Sequence, residues 1–141
     1  MRILSIFFVV CVTFSGCVDE GNEPPGQLTA RTDKATYING EFVRISVANA
    51  TDFSAYVPSC CNTLAFYIDR LENGSWGEFG CYGIPCLFMC PSIQIVLMSG
   101  NARTEAWLPP DQGTYRLRIP YGRSIENQMT EKVISNTFII E

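Results

Sequence analysis

Apolar and polar residues alternate in short runs along most of this chain, and turn-forming residues separate the runs. Residues 42–49 read Phe-Val-Arg-Ile-Ser-Val-Ala-Asn, which puts Val43, Ile45 and Val47 on one face of a strand. Residues 64–70 predict a second strand with Leu64, Phe66 and Ile68 inward. Glu72-Asn73-Gly74-Ser75 then supplies a hairpin turn, because Asn-Gly accepts positive φ, and residues 75–79 form the return strand. Further strands are predicted at 93–98, 104–108, 114–119 and 136–140. No stretch sustains a period of 3.6, so helices should be minor. Short strands with turn signals between them predict an all-β sandwich of about 7–9 antiparallel strands.

The amino end breaks this pattern. Arg2 precedes an apolar run over residues 3–14, which closes on Ser15-Gly16-Cys17. The run is shorter than the roughly 20 residues a membrane-spanning helix needs, and its order of charge, apolar core and small residues is that of a secretion signal. Residues 14–17 resemble the lipobox of bacterial lipoproteins, with Phe14 where that family favours Leu. The resemblance implies a signal peptide over 1–16, removal of that peptide, and lipid attachment at Cys17. Acyl chains there would hold the protein to a membrane, at about 0.8 kcal/mol for each buried CH₂. Plain secretion with cleavage after Ser15 is the alternative, Thr13 and Ser15 being the small residues. Residues 17–27 are acidic, rich in Pro and Gly and nearly free of apolar side chains, which predicts a flexible tether. The residue after the cysteine is Val18 rather than Asp. In lipoproteins of bacteria with two membranes that choice implies the outer membrane, and an acidic run so placed also resembles the surface-export signal of some of them. Residues 28–141 remain for one domain.

Two motifs within the body carry a second resemblance. Asp111-Gln112-Gly113-Thr114-Tyr115 matches the D-x-G-x-Y that opens strand F of immunoglobulin-like domains, where the tyrosine hydroxyl bonds back to nearby backbone. Leu117 stands where antibody domains have a cysteine, so their inter-sheet disulfide is not expected. Residues 37–49, Tyr-Ile-Asn-Gly-Glu-Phe-Val-Arg-Ile-Ser-Val-Ala-Asn, resemble the Y-x-x-G-E-x-V-x-I-x-V-x-N opening of many bacterial immunoglobulin-like modules. The fold implied is an immunoglobulin-like sandwich; the function is left open. The same pattern is similar to the bacterial intracellular proteinase inhibitor family, also immunoglobulin-like, which keeps envelope proteinase inhibition as an alternative function.

Composition narrows the chemistry. The chain has a formal charge of −4, or −5 once Arg2 leaves with the signal, and its Lys and Arg residues are scattered. Nucleic acid needs a basic footprint, so it is not an expected partner. Histidine is absent, which removes Ser-His-Asp and Cys-His catalysis and every His-containing metal site. No Gly-rich phosphate loop is present and no pair of acids stands out, so no enzyme activity and no cofactor are expected. What these features support is a non-enzymatic, lipid-anchored binding or structural module of the bacterial cell envelope. Its expected partners are the membrane, through the lipid on Cys17, and a protein.

Five cysteines follow the anchor: Cys60, Cys61, Cys81, Cys86 and Cys90. In an exported protein the default is disulfides, and an odd count leaves one thiol over. The favoured arrangement joins Cys60 or Cys61 to Cys81, clamping the 64–70/75–79 hairpin, and Cys86 to Cys90. Closing about 20 residues would contribute on the order of 3 kcal/mol. Adjacent Cys60 and Cys61 would point to opposite faces of a strand. The alternatives are a thiol-redox role, or a soft-metal site in which Cys81, Cys86, Met89 and Cys90 hold Cu(I). The stretch 80–92 lacks alternation and is apolar for a loop, with Tyr82, Ile84, Leu87 and Phe88. It is expected to be a disulfide-pinned crossover in the middle of the domain, or else a partner-binding patch.

Overall fold

The computed structural model describes residues 26–83, 92–126 and 129–141. These contain twelve strands and no helix. A first sheet has β1 (Leu28–Thr32), β3 (Val43–Asn49) and β9 (Ala102–Trp107) in the order β1-β3-β9. A second has β2 (Thr36–Tyr37), β12 (Phe138–Ile140), β10 (Gly113–Tyr121), β6 (Phe66–Glu72) and β7 (Ser75–Tyr82) in the order β2-β12-β10-β6-β7. β11 (Glu131–Ile134) pairs with β10 on the same side as β12, so the two are halves of one interrupted strand. A small third sheet has β4 (Ala55–Cys60), β5 (Thr63–Leu64) and β8 (Ser92–Leu97) in the order β5-β4-β8. In immunoglobulin lettering the first two sheets are A-B-E and A′-G-F-C-C′, which makes the domain an immunoglobulin-like sandwich.

The alternation seen in the sequence is what closes the sandwich. Val43, Ile45 and Val47 from β3 are fully buried, and so are Tyr115, Leu117 and Ile119 from β10. They join Phe66, Ile68, Phe138 and Ile140 in one core. Burial of each large aliphatic side chain contributes about 2 kcal/mol relative to exposure. Leu117 fills the inward position that a cysteine takes in antibody domains.

Both motifs resolve into local contacts. The Tyr115 hydroxyl donates to the Asp111 carbonyl at 3.0 Å, and its ring stands edge-on to Phe79 and Trp107. A Cβ on Gly113, whose φ is +153°, would lie 2.9 Å from Arg70 Nε. The Arg70 guanidinium needs that space, since it donates to the Gln112 carbonyl at 3.0 Å and lies over Tyr115 and Phe79. In the other motif, Tyr37 is buried and its hydroxyl donates to Asp33, while Glu41 accepts from the Ile38 amide and pairs with Lys34. Asn49 ends β3 with its amide fully used. It donates to the Phe53 and Leu97 carbonyls and accepts from the Thr51 amide and hydroxyl.

Several expectations need correction. Twelve strands stand in place of about 7–9, because β1, β2, β4 and β11 lie outside the predicted runs and the 64–70 run divides into β5 and β6. The break after Leu64 occurs where buried Ala65 turns its amide to the Pro58 carbonyl at 2.9 Å. β4 contains Pro58, which argues against a central strand. Tyr56 exchanges two hydrogen bonds with Gly122, so Pro58, two residues on, also turns its backbone away from β8 and its missing N–H leaves that ladder intact. One pairing, β2 with β12, is parallel rather than antiparallel.

Candidate functional site

The cysteines give no assembled centre among the described residues. Cys60 ends β4 and is buried, whereas Cys61 is exposed in the turn that follows, with φ of 51°, next to Asn62 at 64°. Positive φ at both turn positions makes this a tight two-residue hairpin into β5. The inward and outward split was expected of a strand, and the turn produces it. The two sulfurs are 3.9 Å apart, and no two described cysteines stand at bonding distance. The expected clamp onto Cys81 is not formed: Cys81 is a half-buried free thiol on β7, paired across the sheet with Tyr67. Cys17, Cys86, Met89 and Cys90 lie outside the described residues, and so does most of the apolar stretch 80–92. The described residues hold no group of three or more Cys, Asp or Glu placed to share a metal ion. Asp111, Gly113 and Tyr115 come together as a structural corner, closed by the hydroxyl-to-carbonyl bond of Tyr115 and Asp111.

What the structure does assemble is the outer face of the second sheet. Side chains opposite in register to the buried ones lie there in transverse rows. The first row runs Thr36, Ile139, Thr114 and then Leu71 and Trp76. Ile139 and Leu71 are exposed, at 41 % and 37 %. The second row is Arg116, Asp69 and Glu78, and the third is Ile134, Arg118, Tyr67 and Cys81. Ile134 is 41 % exposed.

The two charged rows form one network around a buried acid. Asp69 is 5 % exposed, and two guanidiniums hold it: Arg116 Nε donates to Oδ2 at 3.2 Å and Arg118 Nη2 donates to Oδ1 at 3.1 Å. Arg118 also donates to Glu78 at 2.8 Å. Partial burial opposes the Arg118 charge, but its hydrogen bonds to Glu78 and Asp69 outweigh this and hold the proton above the ordinary arginine range. Each guanidinium is stacked as well, Arg116 at 4.4 Å from the Trp76 ring centre and Arg118 at 4.8 Å from that of Tyr67. A buried carboxylate is tolerable only when its lone pairs are used in this way.

The face runs into an open groove of about 720 Å³. Tyr67, Glu78 and Arg118 contribute to it from the face, joined by Pro58, Gln94 and Lys132. The Oε1 of Gln94 is buried there without a hydrogen-bond partner among the described residues.

No protein-family model and no curated protein matches the sequence. Among solved structures the fold is similar to the CARDB domain of the PF1109 protein from Pyrococcus furiosus. The solution NMR structure of that domain has a TM-score of 0.40 and 14 % identity, over 80 % of this chain and 93 % of that one. Its crystal structure in complex with di-metal ions has a TM-score of 0.40 and 11 % identity, over 84 % of this chain and 94 % of that one.

Sequence reasoning placed the candidate binding surface in the stretch 80–92, most of which lies outside the described residues, and did not single out this face. A signal was present, because Trp76, Leu71 and Ile139 each occupy the position of a strand that alternation assigns to solvent. Single outward apolar residues are ordinary. Only strand order shows that these lie in one row.

Proposed function

We propose that the protein is a non-enzymatic binding module of the bacterial cell envelope, held to the membrane by lipid on Cys17 and docking a protein through the outer face of the β2-β12-β10-β6-β7 sheet. The observation that carries the docking role is the row Ile139, Leu71 and Trp76 beside stacked Arg116, on a face outside the sandwich core. Trp, Tyr and Arg are the residues that dominate protein interfaces, and a sheet face outside the core is normally polar. The absence of histidine from the chain supports a role without catalysis. The anchor rests on Ser15-Gly16-Cys17 and on the acidic tether, which ends at Gln27 where β1 begins.

Site-specific photo-crosslinking in cells that make the protein tests this reading. A benzoylphenylalanine at position 76 should give a discrete protein adduct, and the same group at position 104 on the opposite sheet should give none. Cys17→Ser should move the protein from the detergent phase to the aqueous phase and abolish the adduct. Adducts at 104 and 76 alike would remove the docking face. A wild-type amino terminus mapped directly after Ser15, with no lipid mass, would replace anchoring by secretion.

A further inference from the structure

We infer that the docked partner presents a carboxylate side chain flanked by apolar residues, and that Arg116 receives the carboxylate; this rests on the docking-face reading above. Arg116 is a guanidinium of this face with donors to spare. Its Nε–H is taken by Asp69, while its two terminal amino groups have no hydrogen-bond partner among the described residues, and 27 % of the side chain is exposed. Arg118 also has Nε and Nη1 donors without a partner among the described residues, but it differs in charge, because its Nη2 serves Asp69 and Glu78 together. Asp69 is therefore divided between two cations and Glu78 is turned to the other one. Arg116 is left as the less neutralised cation, on the outer face and partly exposed.

The geometry suits a carboxylate better than other anions. A guanidinium fork matches the two oxygens of a carboxylate. The fork is held at Nε by Asp69 and on its flat face by Trp76, so little rotamer freedom is left to lose on binding. The neighbouring row of Leu71, Trp76 and Ile139 offers apolar contact to residues on either side of the acid. Glu72 and Glu78 stand on the adjacent β6 and β7, which disfavours a polyanion such as nucleic acid but leaves room for one isolated charge.

Nuclear magnetic resonance on the full mature chain in detergent micelles tests the inference. The probe is the blocked peptide acetyl-Leu-Glu-Leu-amide, compared with its Gln counterpart. The Glu peptide should shift the Arg116 Nε–H and Trp76 indole signals and bind at least about tenfold more tightly than the Gln peptide, the size expected for a charge-assisted pair. Arg116→Lys keeps the charge without the fork and should lose most of that preference, with a cooperative melting transition showing that the fold survives. Equal affinity of the two peptides, with shifts at Leu71, Trp76 and Ile139, would overturn the carboxylate and leave the docking face standing. No shift anywhere on the face with either peptide would overturn the inference, and the crosslink at position 76 would then decide separately whether the docking face falls too.

Discussion

The two outer faces of the sandwich obey the same alternation and carry different chemistry. On the β1-β3-β9 sheet the outward side chains are Thr29, Arg31, Arg44, Ser46, Ala48, Ala102, Thr104 and Ala106, all small or polar. On the larger sheet the outward positions hold Trp76, Leu71, Tyr67, Ile134 and Ile139 around the network of Asp69, Arg116, Arg118 and Glu78. Folding requires only that inward residues be apolar, and both sheets meet that requirement. The apolar outward residues of the larger sheet lie outside the core, which is why we propose a partner for them. The lesson is that a strand's hydrophobic face reports on folding, and its other face reports on use.

The contrast can be broken by substitution. Asp69→Asn should lower unfolding stability by about 3 kcal/mol, because two guanidiniums over a buried site lose their counter-charge. Arg44→Gln on the opposite face should change it by less than about 0.5 kcal/mol. Chemical denaturation of the two variants measures both, and similar costs would mean that the network is only surface decoration. A smaller effect is expected from the stacked pair. A double-mutant cycle of Trp76→Ala with Arg116→Ala should give a coupling of roughly 0.5–1 kcal/mol, the range for a partly exposed cation–π contact.

Alkaline pH should separate the sheets more gently. Burial and the hydrogen bond to Asp33 push Tyr37 up to about 12, and burial raises Tyr115. A tyrosine whose folded pKa lies above its unfolded value stabilises the fold fully below the unfolded value, near 10, and loses that contribution as pH rises through the folded one. Stability should therefore fall between about pH 10 and about 12. Both residues lie in the larger sheet, in β2 and β10, and the smaller sheet has no tyrosine. Amide exchange should accordingly rise first in β2, β10 and β12. Earlier loosening of β1, β3 and β9 would contradict this.

Much of the fold was legible. Val43, Ile45, Val47, Leu64, Phe66 and Ile68 were assigned inward and are buried, and the turn at Asn73-Gly74 has φ of 52° and 78°. These features depend on contacts along the chain or on a period of two, which a sequence states directly. β4 was not legible, because Pro58 signals a break and only its orientation toward Ala65 and away from β8 makes it harmless. The expected clamp is absent for a related reason: spacing along the chain gives loop length and not the direction of a Cβ, and Cys60 is buried at the end of β4 whereas Cys81 lies beside Tyr67 on the outer face.

By itself, then, the sequence determined an all-β domain behind a signal-like amino end, which strand faces are inward, and the exclusion of histidine chemistry. All three follow from local residue order and composition. The tertiary structure alone decided that Asp69 gathers two arginines, that Ile139, Thr114, Leu71 and Trp76 form one row, and that Arg116 keeps donors unused among the described residues. Each of these depends on which strands are neighbours and in what register, and pairing across tens of residues leaves no period in the chain for the sequence to display.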